Sequence, residues 1–183
     1  MNVEKFVYCP RCATRLERRE SYGRTRAVCP ACKFVHFQDP KVAVIGLVTW
    51  ADRLLLVRRA VNPERGKWAL PGGYMDAGEM PIPALRRELM EEVGLTLAAE
   101  KLMTVLPMPP RPDATGALKS PGIVLAYRAA PAPGASVHEL RPNDDVSAAA
   151  WFPPDGLPPD IAFDSTQMLL RKWRSEEERN EYA

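Results

Sequence analysis

The 183-residue sequence has no run of about 18 apolar residues, so no membrane span is expected. Its first residues, MNVEKFVYCP, lack the apolar stretch of a secretory signal, which makes the cytoplasm the expected compartment. A strong charge imbalance is also missing: the formal net charge is +2 at pH 7. No cysteine stands outside two C-x-x-C pairs, which argues against isolated reactive thiols. Repeats, low-complexity tracts and flexible linkers are absent. What is there is 46% hydrophobic, enough for a sizeable core, in a length that suits one domain and a small module.

The charge is unevenly placed. Residues 1–33 hold eight Lys/Arg and three Asp/Glu, and the remainder holds 17 and 20. If four thiolates share one Zn²⁺, the first segment loses about two charges and stays mildly basic. Nucleic acid is therefore a permitted partner and not a demanded one.

The pairs Cys9-Pro-Arg-Cys12 and Cys29-Pro-Ala-Cys32 are 16 residues apart, a spacing that predicts a tetrahedral zinc site. With all four positions filled by sulfur, this zinc is structural. Two disulfides or redox thiols are the alternatives, and an expected cytoplasmic compartment argues against disulfides. His36 is a substitute ligand only if a cysteine is displaced. Residues 15–19 and 24–28 predict a hairpin across Ser21-Tyr22-Gly23, and the whole is a zinc ribbon pattern over residues 1–37. So short a segment has little core, so metal binding supplies much of its folding energy.

Residues 38–183 read as the main domain. Strands are expected at Lys41–Trp50, Arg53–Arg59, Trp68–Leu70, Leu95–Leu97, Lys101–Leu106, Ile123–Ala129 and Ala148–Phe152. Residues 107–112, with four prolines, cannot form a central strand and read as a stiff loop. Turns are expected at Ala51-Asp52 and at 115–117. A helix starts at Met80-Pro81 and stops at Gly94, and another runs from Phe163 to about Glu178. The order implies an α/β fold with a mixed β-sheet sandwiched by helices.

In the first helix, Leu85, Leu89 and Val93 form a stripe that can be buried. Glu88, Glu91 and Glu92 fall at i, i+3 and i+4, beside it. Three carboxylates so close repel one another unless a cation sits among them, and hard oxygen ligands suit Mg²⁺ or Mn²⁺. A solvated acidic face is the competing reading. Pro71-Gly72-Gly73 lets backbone approach a phosphate or metal closely. Arg58, Arg59 and Arg111 are candidate diphosphate contacts. Tyr74 and Trp68 can stack on a base, with Trp68 better suited to packing.

Gly73 to Leu95 matches the Nudix box, G-x5-E-x7-R-E-U-x-E-E-x-G-U, at Gly73, Glu79, Arg87, Glu88, Leu89, Glu91, Glu92, Gly94 and Leu95. The chain thus resembles the Nudix hydrolases over about residues 40–180. The resemblance implies a Nudix α/β/α sandwich with a loop–helix–loop box that holds Mg²⁺ or Mn²⁺. It implies Glu88 and Glu92 as principal ligands, Glu91 as a further or shared one, and the Gly72 carbonyl as another. Arg87 would orient a glutamate, and Glu79 would brace the loop or a water. A later carboxylate, as ligand or base, is assigned to Asp145, with Asp144 and Glu139 as competitors.

A ribbon before the box resembles the NADH pyrophosphatases. Those carry S-Q-P-W-P-F-P-x-S after the box, where this chain has Leu106-Pro107-Met108-Pro109-Pro110-Arg111-Pro112. The layout is more similar to plant-type pyrophosphatases acting on FAD and ADP-ribose. Here the similar segments include Gln38–Lys41, Gly66–Pro71 and Ile161–Ser165. The resemblance implies hydrolysis of a dinucleotide or nucleotide-sugar diphosphate to a nucleoside monophosphate and a second phosphorylated product. It admits a homodimer with the ribbon as an interface. A nucleotide-sensing regulator whose ribbon binds nucleic acid, and an enzyme that removes caps from RNA 5′ ends, are the rival expectations.

Overall fold

The computed structural model describes residues 6–111, 116, 118 and 120–181, with side chains to 175. The chain forms two compact units: residues 1–40 with 110–120, and residues 41–109 with 121–183.

The first unit contains a three-stranded antiparallel sheet in the order β1 (Glu17–Ser21), β2 (Arg24–Val28), β3 (Val35–His36). The β1–β2 turn is the two-residue Tyr22-Gly23, one residue tighter than the sequence reading placed it. Both turn residues have positive φ, which matches the right-handed twist of the strands they join.

The second unit is built on β4 (Lys41–Trp50), β5 (Arg53–Arg59), β6 (Trp68–Ala69), α1 (Pro81–Val93), β7 (Leu97–Met108), β8 (Gly122–Pro131), β9 (Val146–Phe152) and α2 (Asp164–Glu181). The strand order is β6-β5-β4-β8-β7, and β9 also pairs with β5. The β4–β8 ladder is parallel and the others are antiparallel, so the sheet is mixed as expected. The turn residues Ala51 and Asp52 both have positive φ and close a tight β4–β5 hairpin.

That hairpin is paired only at Thr49–Leu54 and Trp50–Arg53, after which β4 and β5 part. The freed edge of β4 takes up residues 71–75 instead. Gly46 N–H donates to the Pro71 carbonyl (2.9 Å), Val44 N–H to that of Gly73 (2.9 Å), and Met75 N–H to that of Val42 (3.0 Å). The glycine pair is thereby held on the sheet.

Two cores lie on opposite faces. Val44, Val48, Leu55 and Val57 pack with Leu85, Leu89 and Val93 of α1. Leu47, Leu54 and Leu56 pack with Leu169, Leu170 and Trp173 of α2. Strand β5 shows the alternation: Leu54, Leu55, Leu56 and Val57 are all buried and serve the two cores in turn. No described helix is long and apolar enough to cross a membrane.

The strands expected at 95–97 and 101–106 are one, β7, which begins at Leu97. Pro107 and Met108 are not loop but extend β7, opposite Ile123 and Gly122. Proline is tolerated because β7 is an edge strand, where one side of the backbone has no ladder to donate to. The turn expected at 115–117 lies largely outside the described residues.

Candidate functional site

Helix α1 begins at Pro81, whose missing N–H costs nothing in the first turn. It ends at Gly94, whose left-handed φ of 70° lets its N–H return to the Met90 carbonyl. The buried stripe is Ala84, Leu85, Glu88, Leu89, Glu92 and Val93. Two of the three glutamates therefore lie inside the stripe, not beside it, and Glu91 alone faces solvent.

The glycine pair makes room for them. A side chain on Gly73 would meet the Glu88 carboxylate at 2.6 Å, and one on Gly72 would meet the Val44 carbonyl at 2.1 Å. Gly72 also has a φ of 133°, which L side chains rarely adopt. Its N–H donates to Glu92 Oε2 (3.0 Å). The Gly72 carbonyl takes no part in the bonds that tie 71–75 to β4.

Arg87 is the hub of the cluster. Its Nε and Nη2 donate to the two oxygens of Glu79, each at 2.9 Å, a bidentate pair. Nη1 donates to Glu88 Oε1 and to Glu91 Oε2, both at 2.9 Å, and Nη2 reaches the Tyr74 carbonyl (3.1 Å). Glu79 also accepts the Asp76 N–H (3.0 Å). These bonds, Arg87 first and then Asp76, hold the Glu79 carboxyl down at about 2.

The helix glutamates behave oppositely. Burial raises Glu88, although Arg87 opposes it. Burial raises Glu92 well above the ordinary carboxylate range, against the Gly72 N–H, and the charges of Asp145 and Glu88 add to the rise. Two desolvated carboxylates, with one guanidinium already shared among three carboxylates, are a donor set short of positive charge. A hard divalent cation fits that deficit.

Asp145 is brought in by the end of α1. The Asn143 N–H caps the Glu92 carbonyl (2.9 Å) and the Arg141 N–H caps that of Val93 (3.0 Å), so the following loop is fastened beside Glu92. The Asp145 charge acts on both Glu88 and Glu92. Its competitors are exposed: Asp144, and Glu139, which lies 3.8 Å from Arg141.

The remaining candidates are scattered. Arg59 exerts its charge on Glu92, while its Nε donates to the Pro63 carbonyl (2.9 Å). Arg58 donates to the Gly66 carbonyl (2.7 Å). Both arginines thus tie down the loop between β5 and β6. The half-exposed Tyr74 reaches Met108 Sδ through its hydroxyl (3.7 Å), with Lys41 Nζ 5.9 Å from its ring centre. Arg111 belongs to the first compact unit, not the unit that carries the glutamates. The sequence reading missed the Tyr74 carbonyl and the Asp76 amide as partners of this network. No residue-type signal marks a backbone group.

In the first unit, the ligand sulfurs of Cys9, Cys12, Cys29 and Cys32 all lie within 4.8 Å of one another. Among the described residues no other set of three or more His, Cys, Asp or Glu is gathered so closely. The two cysteine loops are built alike. Arg11 N–H donates to Cys9 Sγ and Cys32 N–H to Cys29 Sγ, each at 3.4 Å. Each loop closes through a left-handed residue, Ala13 or Lys33. Four converging sulfurs, two with amide donors, can hold one metal ion. His36 lies in β3, edge-on to Phe6, outside this set.

Residues 39–171 match the NUDIX domain. The chain belongs to the Nudix family. This Nudix hydrolase is 32% identical over 145 residues to an ADP-ribose pyrophosphatase of Methanocaldococcus jannaschii, covering 78% of this chain and 80% of that one. It is 29% identical over 158 residues to an NAD-capped RNA hydrolase of Stutzerimonas stutzeri, covering 85% of this chain but about half (51%) of that protein. A NUDIX hydrolase structure from Nitrosomonas europaea superposes with a TM-score of 0.75 at 25% identity, covering 95% and 93% of the two chains. Nudix enzymes generally use divalent metals, in keeping with the donor set.

Proposed function

We propose that this Nudix hydrolase splits the diphosphate of a nucleoside diphosphate linked to a second group, of the FAD, ADP-ribose or NADH type. The observation that carries the reading is the pair of buried glutamates, Glu88 and Glu92, set against the bare backbone of Gly72 and Gly73 within range of the Asp145 charge. The likeness to an ADP-ribose pyrophosphatase supports the substrate class.

Glu88, Glu92, the Gly72 carbonyl and, by a turn of its exposed side chain, Glu91 would hold Mg²⁺ or Mn²⁺. The cation supplies charge neutralisation and Lewis acidity at the diphosphate. Arg87 positions Glu88 and Glu91, and Glu79 fixes Arg87. Asp145 takes the proton of the attacking water. The water oxygen bonds to phosphorus, the anhydride P–O bond breaks, and a nucleoside monophosphate leaves with a second phosphorylated product. Tyr74, Arg58 and Arg59 serve as substrate contacts. In the first unit the four cysteines hold a structural Zn²⁺, making residues 1–37 a zinc ribbon ahead of the Nudix domain at 38–183.

A panel of FAD, ADP-ribose and NADH with Mg²⁺ or Mn²⁺ tests the reading, with products separated by chromatography. Formation of AMP from at least one is expected, and an intact panel would refute it. Removal of an NAD-type cap from RNA is a second reading, supported by the likeness to an NAD-capped RNA hydrolase. The same bond is split, so NAD-capped RNA belongs on the panel.

A further inference from the structure

The β1–β2 hairpin turns on Tyr22 and Gly23, with φ of 51° and 69°. Glycine takes that conformation freely and asparagine at little cost, whereas a tyrosine there is strained. Burial does not offset the strain, because Tyr22 is 77% exposed. A large ring kept in an unfavourable backbone conformation and left in water contributes little to the fold, which points to a use outside it.

Its neighbours define that use. Phe37, 48% exposed, places its ring 5.6 Å from that of Tyr22. The Arg26 guanidinium lies 4.9 Å from the Phe37 ring centre and 6.0 Å from that of Tyr22. It also donates to the carbonyls of Ser21 and Tyr22, so it is fixed in place. The pairings Ser21–Arg24 and Arg19–Arg26 put Arg19, Arg24 and Arg26 on one face of the hairpin. Glu17 neutralises Arg19, which leaves the positive charge with Arg24 and Arg26.

We propose that this face binds single-stranded nucleic acid. An unpaired base stacks on the Tyr22–Phe37 pair, and the adjoining phosphates lie against Arg24 and Arg26. Charge complementarity favours this occupant over a second copy of the chain. A two-fold contact would set the same arginines against each other, whereas a polyanion meets them with opposite charge. The proposal is independent of which diphosphate the second unit hydrolyses.

The test uses the full chain as purified and fluorescent 12-nucleotide RNA and DNA of one sequence, read by anisotropy from 50 to 200 mM salt. Binding of either polymer is expected, with log K falling against log salt at a slope of about −1.4 for two phosphates. Tyr22→Asn suits the turn and should melt no lower than the parent. It should weaken binding about tenfold and leave hydrolysis of a small dinucleotide unchanged. Arg24→Ala should reduce the salt slope by about 0.7. Light scattering on the same samples reports the oligomeric state. Absence of binding at 50 mM salt, or equal binding by Tyr22→Asn, overturns the proposal. So does a Tyr22→Asn variant that turns a dimer into a monomer with polymer affinity unchanged, which would make this face a contact between two copies.

Discussion

Gly73 is bare because Glu88 occupies the space its side chain would fill. A single methyl there would sit 2.6 Å from the carboxylate, so Gly73→Ala must push Glu88 off its bond to Arg87. Displacing a proposed metal ligand by about 1 Å is expected to cost at least about 100-fold in kcat/KM. The thermal transition should change little, and steady-state kinetics beside a thermal melt check both. Trp173 makes a different residue-scale case. It is fully buried against the α2-side core, yet its Nε1 has no hydrogen-bond partner among the described residues. Leaving a buried donor unpaired costs about 1–3 kcal/mol, which Trp173→Phe recovers while losing some packing. Urea denaturation should place Trp173→Phe within about 1 kcal/mol of the parent and Trp173→Ala about 3–5 kcal/mol below it. At this scale the sequence named the acidic and arginine members of the cluster. It could not name the Tyr74 carbonyl or the Asp76 amide, since every residue carries those groups.

Helix α1 combines packing and chemistry on one stripe, with Glu88 and Glu92 between leucines that hold the helix to the sheet. Its far side is anchored by Arg86, which grips Glu100 of β7 with two bonds, Nε to Oε1 at 2.5 Å and Nη2 to Oε2 at 2.9 Å. Glu100 lies where the β7 register shifts between Ala98 and Lys101. The Arg86 bond lowers the Glu100 carboxyl below 4.5, its ordinary value. A lowered carboxyl stabilises the fold above its unfolded pKa and loses that contribution as pH falls through its folded value. Arg86 is about half exposed, so screening by solvent keeps the effect small. Arg86→Ala should therefore melt lower than the parent at pH 7, and the difference should shrink as pH falls below 4.5. Melts across that range read it directly. Most elements were legible from periodicity and turn residues. The extension of β7 through Pro107 was not, because whether proline is tolerated depends on a strand's place in the sheet. Nor was the departure of β4 from β5, which lets residues 71–75 dock on the sheet.

At the scale of the whole chain, two sets of candidate metal ligands stand in separate compact units. Sulfur converges in the first, and buried carboxylate in the second. The four-sulfur set predicts one zinc per chain by elemental analysis, and Cys29→Ser should carry none. Loss of that zinc should unfold the first unit, detected by amide exchange in residues 6–40. An ion content unchanged in Cys29→Ser would contradict the assignment. The spacing of the cysteines and the box motif marked both clusters in the sequence, and the structure gathers the four sulfurs and buries Glu88 and Glu92. Choice of substrate was not legible there, because the residues around Tyr74 and the β5–β6 loop come from separated segments.

Glu92 is the most deeply buried carboxylate of the site, held by the Gly72 N–H. Glu92→Gln keeps the size and the bond to Gly72 but removes the charge. The direct test compares it with the parent on ADP-ribose and FAD at saturating Mg²⁺, with AMP quantified. The predicted result is AMP release by the parent and a fall of at least about 1000-fold in kcat for Glu92→Gln, with both proteins melting alike. A Glu92→Gln variant that releases AMP at the parental rate would contradict a role for the Glu92 carboxylate in turnover.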